Sequence, residues 1–233
     1  MSHQIELFKT ETVNVDFTNY TIIINISGGK DSTAMLYYLA AKYPQHKKVC
    51  LYNDTGFEHP GIWEYIQAIT EPLNINVVKL DAPKGLFQLI RERKLLPADH
   101  CRYCTRALKM GPSEKWIRAN LPRGKIVCCS GLRGEESTTR AKIPPLREYQ
   151  AISTKDRHVL RFNPLHYWKE GHVKEFLYGQ GVELFHTYDY LKRLSCRFCF
   201  LSGKKERAAI RMNDPDGFEL VQELGESIGA KII

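Results

Sequence analysis

Two groups of residues in this sequence have the types and spacing to do chemistry. The first is Ser27-Gly28-Gly29-Lys30-Asp31-Ser32, where a β-branched run ends in paired glycines, a lysine, an acid and a serine before a helical pattern begins. Paired glycines let backbone N–H groups curl into a concavity, a helix N-terminus adds partial positive charge, and Ser27, Lys30 and Ser32 bring further donors. Such a corner suits phosphate. Asp31 is the odd member beside an anion, and its two available roles are capping the helix or holding Mg2+ that bridges phosphate oxygens. The spacing is neither that of a Walker loop nor that of a dinucleotide fingerprint. A tight strand-to-helix turn that uses glycine only for backbone freedom is the competing account.

The second group is cysteine. Of seven cysteines, Cys101 and Cys104 in HCRYCTRALK and Cys196 and Cys199 in SCRFCFLSGKK form two C-x-x-C pairs far apart in sequence. Each pair can aim both sulfurs at one centre, and four thiolates are a full set for tetrahedral zinc or a [4Fe-4S] cluster; free or redox-active thiols are the third account. Arg102, Arg106, Lys109 and Arg197 near these thiols would offset negative charge and attract an anionic substrate. Cys50, Cys128 and Cys129 lie in strand-like runs and read as small buried apolar residues.

The elements that must position these groups alternate. Tyr20–Ile26, Lys48–Asp54, Ile75–Asp81 and Lys125–Gly131 are short β-branched runs without strict alternation, as strands buried on both faces should be. Between them, Ser32–Tyr43, Pro60–Thr70, Gly85–Leu96 and Ser113–Leu121 carry apolar residues at helical spacing. The alternation predicts an α/β fold, a mainly parallel twisted sheet with helices on both faces, which places the Ser27 to Ser32 loop beyond the carboxyl end of the first strand, where such sheets bind ligands. After about Leu146 the pattern loosens, and Gly203–Asn213 and Pro215–Ile228 predict a small C-terminal helical subdomain. The expected organisation is a nucleotide-binding core over residues 1–146, with residues 147–233 completing the sheet and the four-cysteine site.

Composition bounds the rest. The 233 residues are 43% hydrophobic and 26% charged, so neither disorder nor a membrane span accounts for the chain. No apolar run reaches the length of a spanning helix and the N-terminus is too polar for a signal peptide, which predicts a cytoplasmic protein with no membrane partner. A formal charge of +8 favours polyanionic partners such as nucleotides or nucleic acid. Basic residues at Arg91 to Lys94, Lys192 and Arg193, and Lys204, Lys205 and Arg207 make a DNA or tRNA partner plausible, although ordinary solvated helix faces look the same.

The loop resembles the pyrophosphate loop (PP-loop) of the ATP pyrophosphatase superfamily. Together with YNDTGFEHPGIWEYI, SGLRGEESTTRA, NPLHYWKEGHVKEFL and CRFC, in that order, it resembles the phosphoadenylyl-sulfate (PAPS) reductase family, which includes adenylyl-sulfate reductases and the sulfur-transfer proteins of DNA phosphorothioation. The resemblance covers about residues 20–200 and implies an adenine nucleotide alpha hydrolase-like fold. It implies that Ser27, Gly28, Gly29, Lys30, Asp31 and Ser32 embrace nucleotide phosphates, that Asp54, Thr55 and Gly56 border the adenosine, and that Gly131 and Arg133, with Arg140 as a second arginine, complete the nucleotide site. Lys30, Asp31 and Arg133 are the residues expected to carry catalysis. The resemblance favours a [4Fe-4S] cluster on Cys101, Cys104, Cys196 and Cys199, with Zn2+ as second choice.

The sequence also departs from the family. The thioredoxin-dependent reductases carry a nucleophilic cysteine in a C-terminal Glu-Cys-Gly-Leu-His, and here no cysteine follows Cys199; adenylyl-sulfate reductases have adjacent cysteines where this sequence has Cys101 and Cys104 spaced. The expectation is therefore an enzyme that binds Mg2+-ATP, adenylylates an acceptor with release of pyrophosphate, and prepares it for sulfur transfer, with a sulfur-donor protein as partner. The alternatives are a reductase releasing sulfite from the sulfonucleotide, and a non-enzymatic nucleotide-binding module stapled by zinc.

Overall fold

The computed structural model describes residues 13 and 15–232. Residues 1–12 and 14 of the polar N-terminus weighed above as a leader lie outside the described residues. Six strands form one sheet: β1 (Tyr20–Ile26), β2 (Lys48–Asp54), β3 (Val77–Asp81), β4 (Gly124–Cys129), β5 (Leu146–Glu148) and β6 (Arg157–Phe162). Their order is β3-β2-β1-β4-β6-β5, with every neighbouring pair parallel except the antiparallel edge pair β5 and β6. The helices are α1 (Lys30–Lys42), α2 (Ile62–Thr70), α3 (Leu86–Arg93), α4 (Tyr103–Thr105), α5 (Gly111–Asn120), α6 (Thr138–Ala141), α7 (Glu170–Gly179), α8 (Lys204–Asn213) and α9 (Pro215–Ser227). Residues Arg106–Met110 form a π turn that joins α4 to α5.

Burial on both faces explains why the central strands read as unbroken apolar runs. On β1, Ile22, Ile24 and Ile26 pack with Met35 and Leu39 of α1, Ile62 and Ile66 of α2, and Phe176 and Leu177 of α7. Ile23, one residue out of phase, packs on the opposite face with Ile117 of α5, Ile126 and Val159. A third apolar cluster joins α3 to the C-terminal helices through Leu89, Ile90, Phe198, Ile210, Phe218 and Val221. The last two helices thus cover the segment that carries Cys199.

The expected α/β class holds, and β1 and β2 match their predicted spans residue for residue. Other limits shift for local reasons. The first helix begins at Lys30 rather than Ser32, so the loop lysine is already helical. The second begins after Gly61, whose left-handed φ of 79° turns the chain into it. The third ends at Arg93 because Lys94 is left-handed, φ 49°. The fourth strand ends at Cys129, which leaves Gly131 in the loop beyond it. The C-terminal part was expected to complete the sheet, but without named strands, and α7 carried no expectation; β5 has three residues and α7 holds two glycines, so neither presents a strong period.

One buried histidine makes the fold pH-sensitive. His59 is 3% exposed, and burial lowers its pKa to about 4 despite nearby Asp214. Below the ordinary histidine pKa the unfolded chain takes up a proton that the folded chain refuses, so stability falls as pH drops from about 6.5 towards 4. Between pH 7 and pH 5 the expected loss is on the order of 2 kcal/mol. Urea titrations of the protein and of His59→Gln at both pH values check this; an equal pH dependence in the two proteins rules it out.

Candidate functional site

The strand order reverses between β1 and β4, and the crevice beyond their carboxyl ends is where an open parallel sheet takes a ligand. Ser27 follows β1 and Ser130 follows β4. The loop between β1 and α1 turns on Gly28, whose φ is +74°. It is tied internally: the Ser27 amide donates to Ser32 Oγ at 3.2 Å, the two serine hydroxyls stand 3.1 Å apart, and Ser32 Oγ donates to the Gly29 carbonyl at 2.9 Å. Gly131 comes in from the β4 side. A Cβ on it would stand 2.7 Å from the Asp31 carbonyl carbon and 2.9 Å from the Ser32 nitrogen, so only glycine lets the two loops touch.

The charged residues of the loop are enclosed. Lys30 is 3% exposed and Arg133 is 4% exposed. Arg133 donates from Nε to Asp31 at 2.6 Å and from a terminal nitrogen to Glu135, also at 2.6 Å. Lys30 Nζ lies 3.5 Å from Asp31 and 3.9 Å from Glu170, and donates to the Lys192 carbonyl at 3.3 Å. Asp31 therefore ties Lys30 to Arg133 and does not cap α1, which has no side-chain cap. Arg140 pairs with Glu136, whose carboxylate also accepts the Arg133 amide at 2.9 Å.

One further residue closes the loop, and no sequence signal pointed to it. Tyr188, in the turn His186–Asp189, places its hydroxyl 2.8 Å from the Lys30 amide at the start of α1. The same oxygen accepts the Leu194 amide at 3.3 Å. Burial pushes the phenol up to about 12, so the hydroxyl keeps its proton.

Two cavities flank the loop. One, of about 410 Å³, runs over the sheet ends and under α5, lined by Ser27, Tyr52, Asn53, Met110, Ser130 and Tyr149 among others. The second, of about 810 Å³, is polar and lined by Lys30, Asp31, Arg133, Glu135, Arg140 and Glu170. Leu132 lines both. Asp54 and Gly56 hold a turn, the carboxylate accepting the Gly56 amide at 2.8 Å and pairing with Lys79 at 2.9 Å. Thr55 is buried, and its hydroxyl donates to Glu58 at 2.6 Å. The first cavity is lined on this side by Asn53 and Glu58, the residues that bracket the predicted trio.

The C-x-x-C thiols reach that cavity through Lys109. Lys109, which lines it, has its pKa raised by Cys196 first and, against its burial, by Glu58, Cys199 and Cys104. Thr55 Oγ1 lies 3.7 Å from Cys196 Sγ, and burial raises that thiol to about 11. Cys101 and Cys104 both act on the Tyr103 phenol. All four sulfurs are free and half-buried. Among the described residues no three Cys, His, Asp or Glu side chains meet at one metal-holding point, so the two C-x-x-C pairs do not form a closed coordination shell. The donor set nevertheless fits a soft tetrahedral group, with four thiols, the half-buried Lys109 ammonium to balance their charge and a hydroxyl beside one sulfur.

A mostly parallel six-stranded sheet with this glycine loop at its switch point is the α/β architecture of the PP-loop proteins. The chain belongs to the phosphoadenosine phosphosulfate reductase domain family, whose model matches residues 21–198. It is similar to an uncharacterized protein of Methanocaldococcus jannaschii, 23% identical over 76% of this chain and 36% of that one, and to a phosphoadenosine 5'-phosphosulfate reductase of Aliivibrio salmonicida, 28% identical over 56% and 49%. The chain thus spans about a third to a half of the length of these curated relatives. Among solved structures it resembles the phosphoadenylyl-sulfate reductase of Candida auris in a phosphate complex, with TM-score 0.52, 12% identity and coverage of 75% and 80%. It also resembles the U34-tRNA thiolase NcsA of Methanococcus maripaludis with its [4Fe-4S] cluster, with TM-score 0.52, 14% identity and coverage of 92% and 74%. A third is the FMN adenylyltransferase of Candida glabrata in complex with ATP, with TM-score 0.54, 16% identity and coverage of 81% and 55%. At these identities the structural likenesses establish the fold alone.

Proposed function

We propose that this protein binds Mg2+-ATP across the loop, adenylylates an acceptor and so readies it for sulfur transfer. The observation that carries the reading is the loop's position between a nucleoside-sized cavity on one side and a polar cleft on the other, with Lys109, whose ammonium feels Cys196, Cys199 and Cys104, on the wall of the first. Adenosine would lie under α5, and the β- and γ-phosphates would meet the amides at the start of α1. An acceptor oxygen attacks the α-phosphorus, the bond from that phosphorus to the β-bridging oxygen breaks, and its electron pair leaves with pyrophosphate. Lys30 stabilises the charge that develops on the departing group, and Arg133 fixes Asp31 beside it. A sulfur nucleophile from a donor protein then displaces AMP from the activated acceptor.

Asp31, with Glu135 and Glu170 in the same cleft, offers the hard oxygen ligands Mg2+ takes, and the ion would neutralise phosphate charge there. Cys101, Cys104, Cys196 and Cys199 would hold a [4Fe-4S] cluster, which would supply a site for binding sulfide. The excess of basic residues is compatible with DNA or tRNA as acceptor, and the polar cleft carries Arg102 and Arg193 at its rim.

Lys30→Ala and Ser27→Ala test the loop. Loss of a charge-assisted phosphate contact at Lys30 is expected to weaken ATP binding about 10- to 100-fold by calorimetry, with a smaller loss for the serine and an unchanged unfolding midpoint for Ser27→Ala. Equal ATP affinity in Lys30→Ala and the parent protein eliminates the phosphate assignment. The family's name-giving reaction is the second reading, favoured by the domain match over residues 21–198. It predicts sulfite release from the sulfonucleotide with a dithiol donor, whereas the first reading predicts pyrophosphate release that depends on the acceptor.

A further inference from the structure

The hydroxyl of Tyr188 stands where an oxygen of a bound phosphate would stand. It accepts the Lys30 amide, the first free donor of α1, at 2.8 Å, and lies 3.5 Å from where a Cβ on Gly29 would be. The segment behind it is tied to the loop at one more point and to the phenol itself at another. Lys30 Nζ donates to the Lys192 carbonyl at 3.3 Å, and the Leu194 amide donates to the Tyr188 hydroxyl at 3.3 Å. Leu194 is two residues before Cys196, whose sulfur lies 3.7 Å from the Thr55 hydroxyl beyond β2. One oxygen atom therefore holds both the anion seat of the loop and the chain that leads into the second cysteine pair.

We propose that Tyr188 is a positioning residue that couples the two sites: phosphate bound at the loop displaces its hydroxyl and thereby releases the strap from Tyr188 to Leu194 that leads into Cys196. This rests on the reading of Ser27 to Ser32 as a phosphate site and says what that site controls. A phosphate oxygen cannot share the Lys30 amide with the phenol at hydrogen-bond distance, so the phenol must withdraw. When it withdraws, the Leu194 amide loses its acceptor, and the anion competes with the Lys192 carbonyl for the Lys30 ammonium. The free energy that docks the strap is then opposed to phosphate binding, and by linkage the effect is reciprocal: whatever fixes the Cys196 segment in its docked place weakens phosphate binding by the same factor. A nucleotide would thus arrive at the loop and loosen the thiol-bearing chain in one event.

The test uses the whole protein, inorganic pyrophosphate as probe, and Tyr188→Phe, which keeps the ring against Lys30 and removes only the hydroxyl. Tyr188→Phe is expected to bind pyrophosphate about tenfold more tightly, since no hydroxyl has to be displaced. In the parent protein, saturating pyrophosphate is expected to speed amide exchange at Leu194 about tenfold while slowing it at Lys30, as read by NMR; in Tyr188→Phe, Leu194 exchanges fast from the outset and pyrophosphate changes it little. Equal affinity of the two proteins together with unchanged Leu194 exchange overturns the coupling and leaves the phosphate site standing. Weaker binding by Tyr188→Phe also overturns it, because the hydroxyl would then be a ligand of the anion. No pyrophosphate binding by either protein removes the phosphate reading itself and the coupling with it.

Discussion

Gly131→Ala is expected to lose ATP binding by at least about 100-fold and to destabilise the fold by about 2–4 kcal/mol. The methyl group would stand 2.7 and 2.8 Å from the carbonyl carbon and oxygen of Asp31 and 2.9 Å from the Ser32 nitrogen, all backbone atoms that no rotamer change can move. To relieve the contact, either the start of α1 or the loop after β4 must shift. Either shift separates the buried Arg133 from Asp31, a 2.6 Å ion pair whose carboxylate is 21% exposed, and leaves the enclosed guanidinium short of a partner. Gly171→Ala on α7 is the control, since a Cβ there meets nothing within 4 Å; it should be neutral or slightly stabilising. Calorimetry with ATP and thermal unfolding of both variants decide the matter, and full ATP affinity in Gly131→Ala would show that the two loops need not touch for the site to form.

The second large effect concerns the thiols. Protein purified without oxygen is expected to carry iron and acid-labile sulfide in about equal amounts, near four of each per chain. Serine in place of any one of Cys101, Cys104, Cys196 or Cys199 should remove most of both, while Cys50→Ala, on β2 and fully buried, should leave them in place. Removing a four-thiolate centre also removes the free energy it contributes to folding, so the serine variants should unfold at lower temperature. Stoichiometric zinc without iron or sulfide would reassign the centre as a structural staple. Metal-free protein with four titratable thiols would leave them as a redox or nucleophilic set.

The central sheet was legible because its strands are apolar on both faces and end at residues that cannot continue them. β1 stops at Ser27-Gly28 and β2 at Asp54-Thr55-Gly56, and both were read to the residue. The edge was not legible: β5 has only three residues, and β6 alternates exposed and buried positions too briefly to stand out. Within the site, the loop glycines were legible from the turn chemistry and Gly131 through the resemblance alone; its close approach to Asp31 and Ser32 is a product of the fold. Arg133 was expected to face phosphate; it pairs with Glu135, two residues on, and with Asp31, which only the fold brings near. Tyr188 lies 158 residues from the amide it meets, and a tyrosine in a polar stretch carries no local mark of such a contact. Glu58 was hidden within a quoted block; its burial, which raises its pKa, is a property of the packed cavity wall.

The wide turn at Arg106–Met110 changes which residues of its helix are neighbours. In a regular α-helix each residue advances about 100°, so positions five apart point in markedly different directions. A π turn closes its hydrogen bonds five residues apart and stacks those positions instead. Cys104 and Lys109 are separated by five, and the thiol is among the groups that raise the lysine's pKa. The extra residue thus acts as a frame shift within a single helix: upstream of it the chain keeps step with the cysteines, downstream with the sheet, and the lysine at the seam faces both.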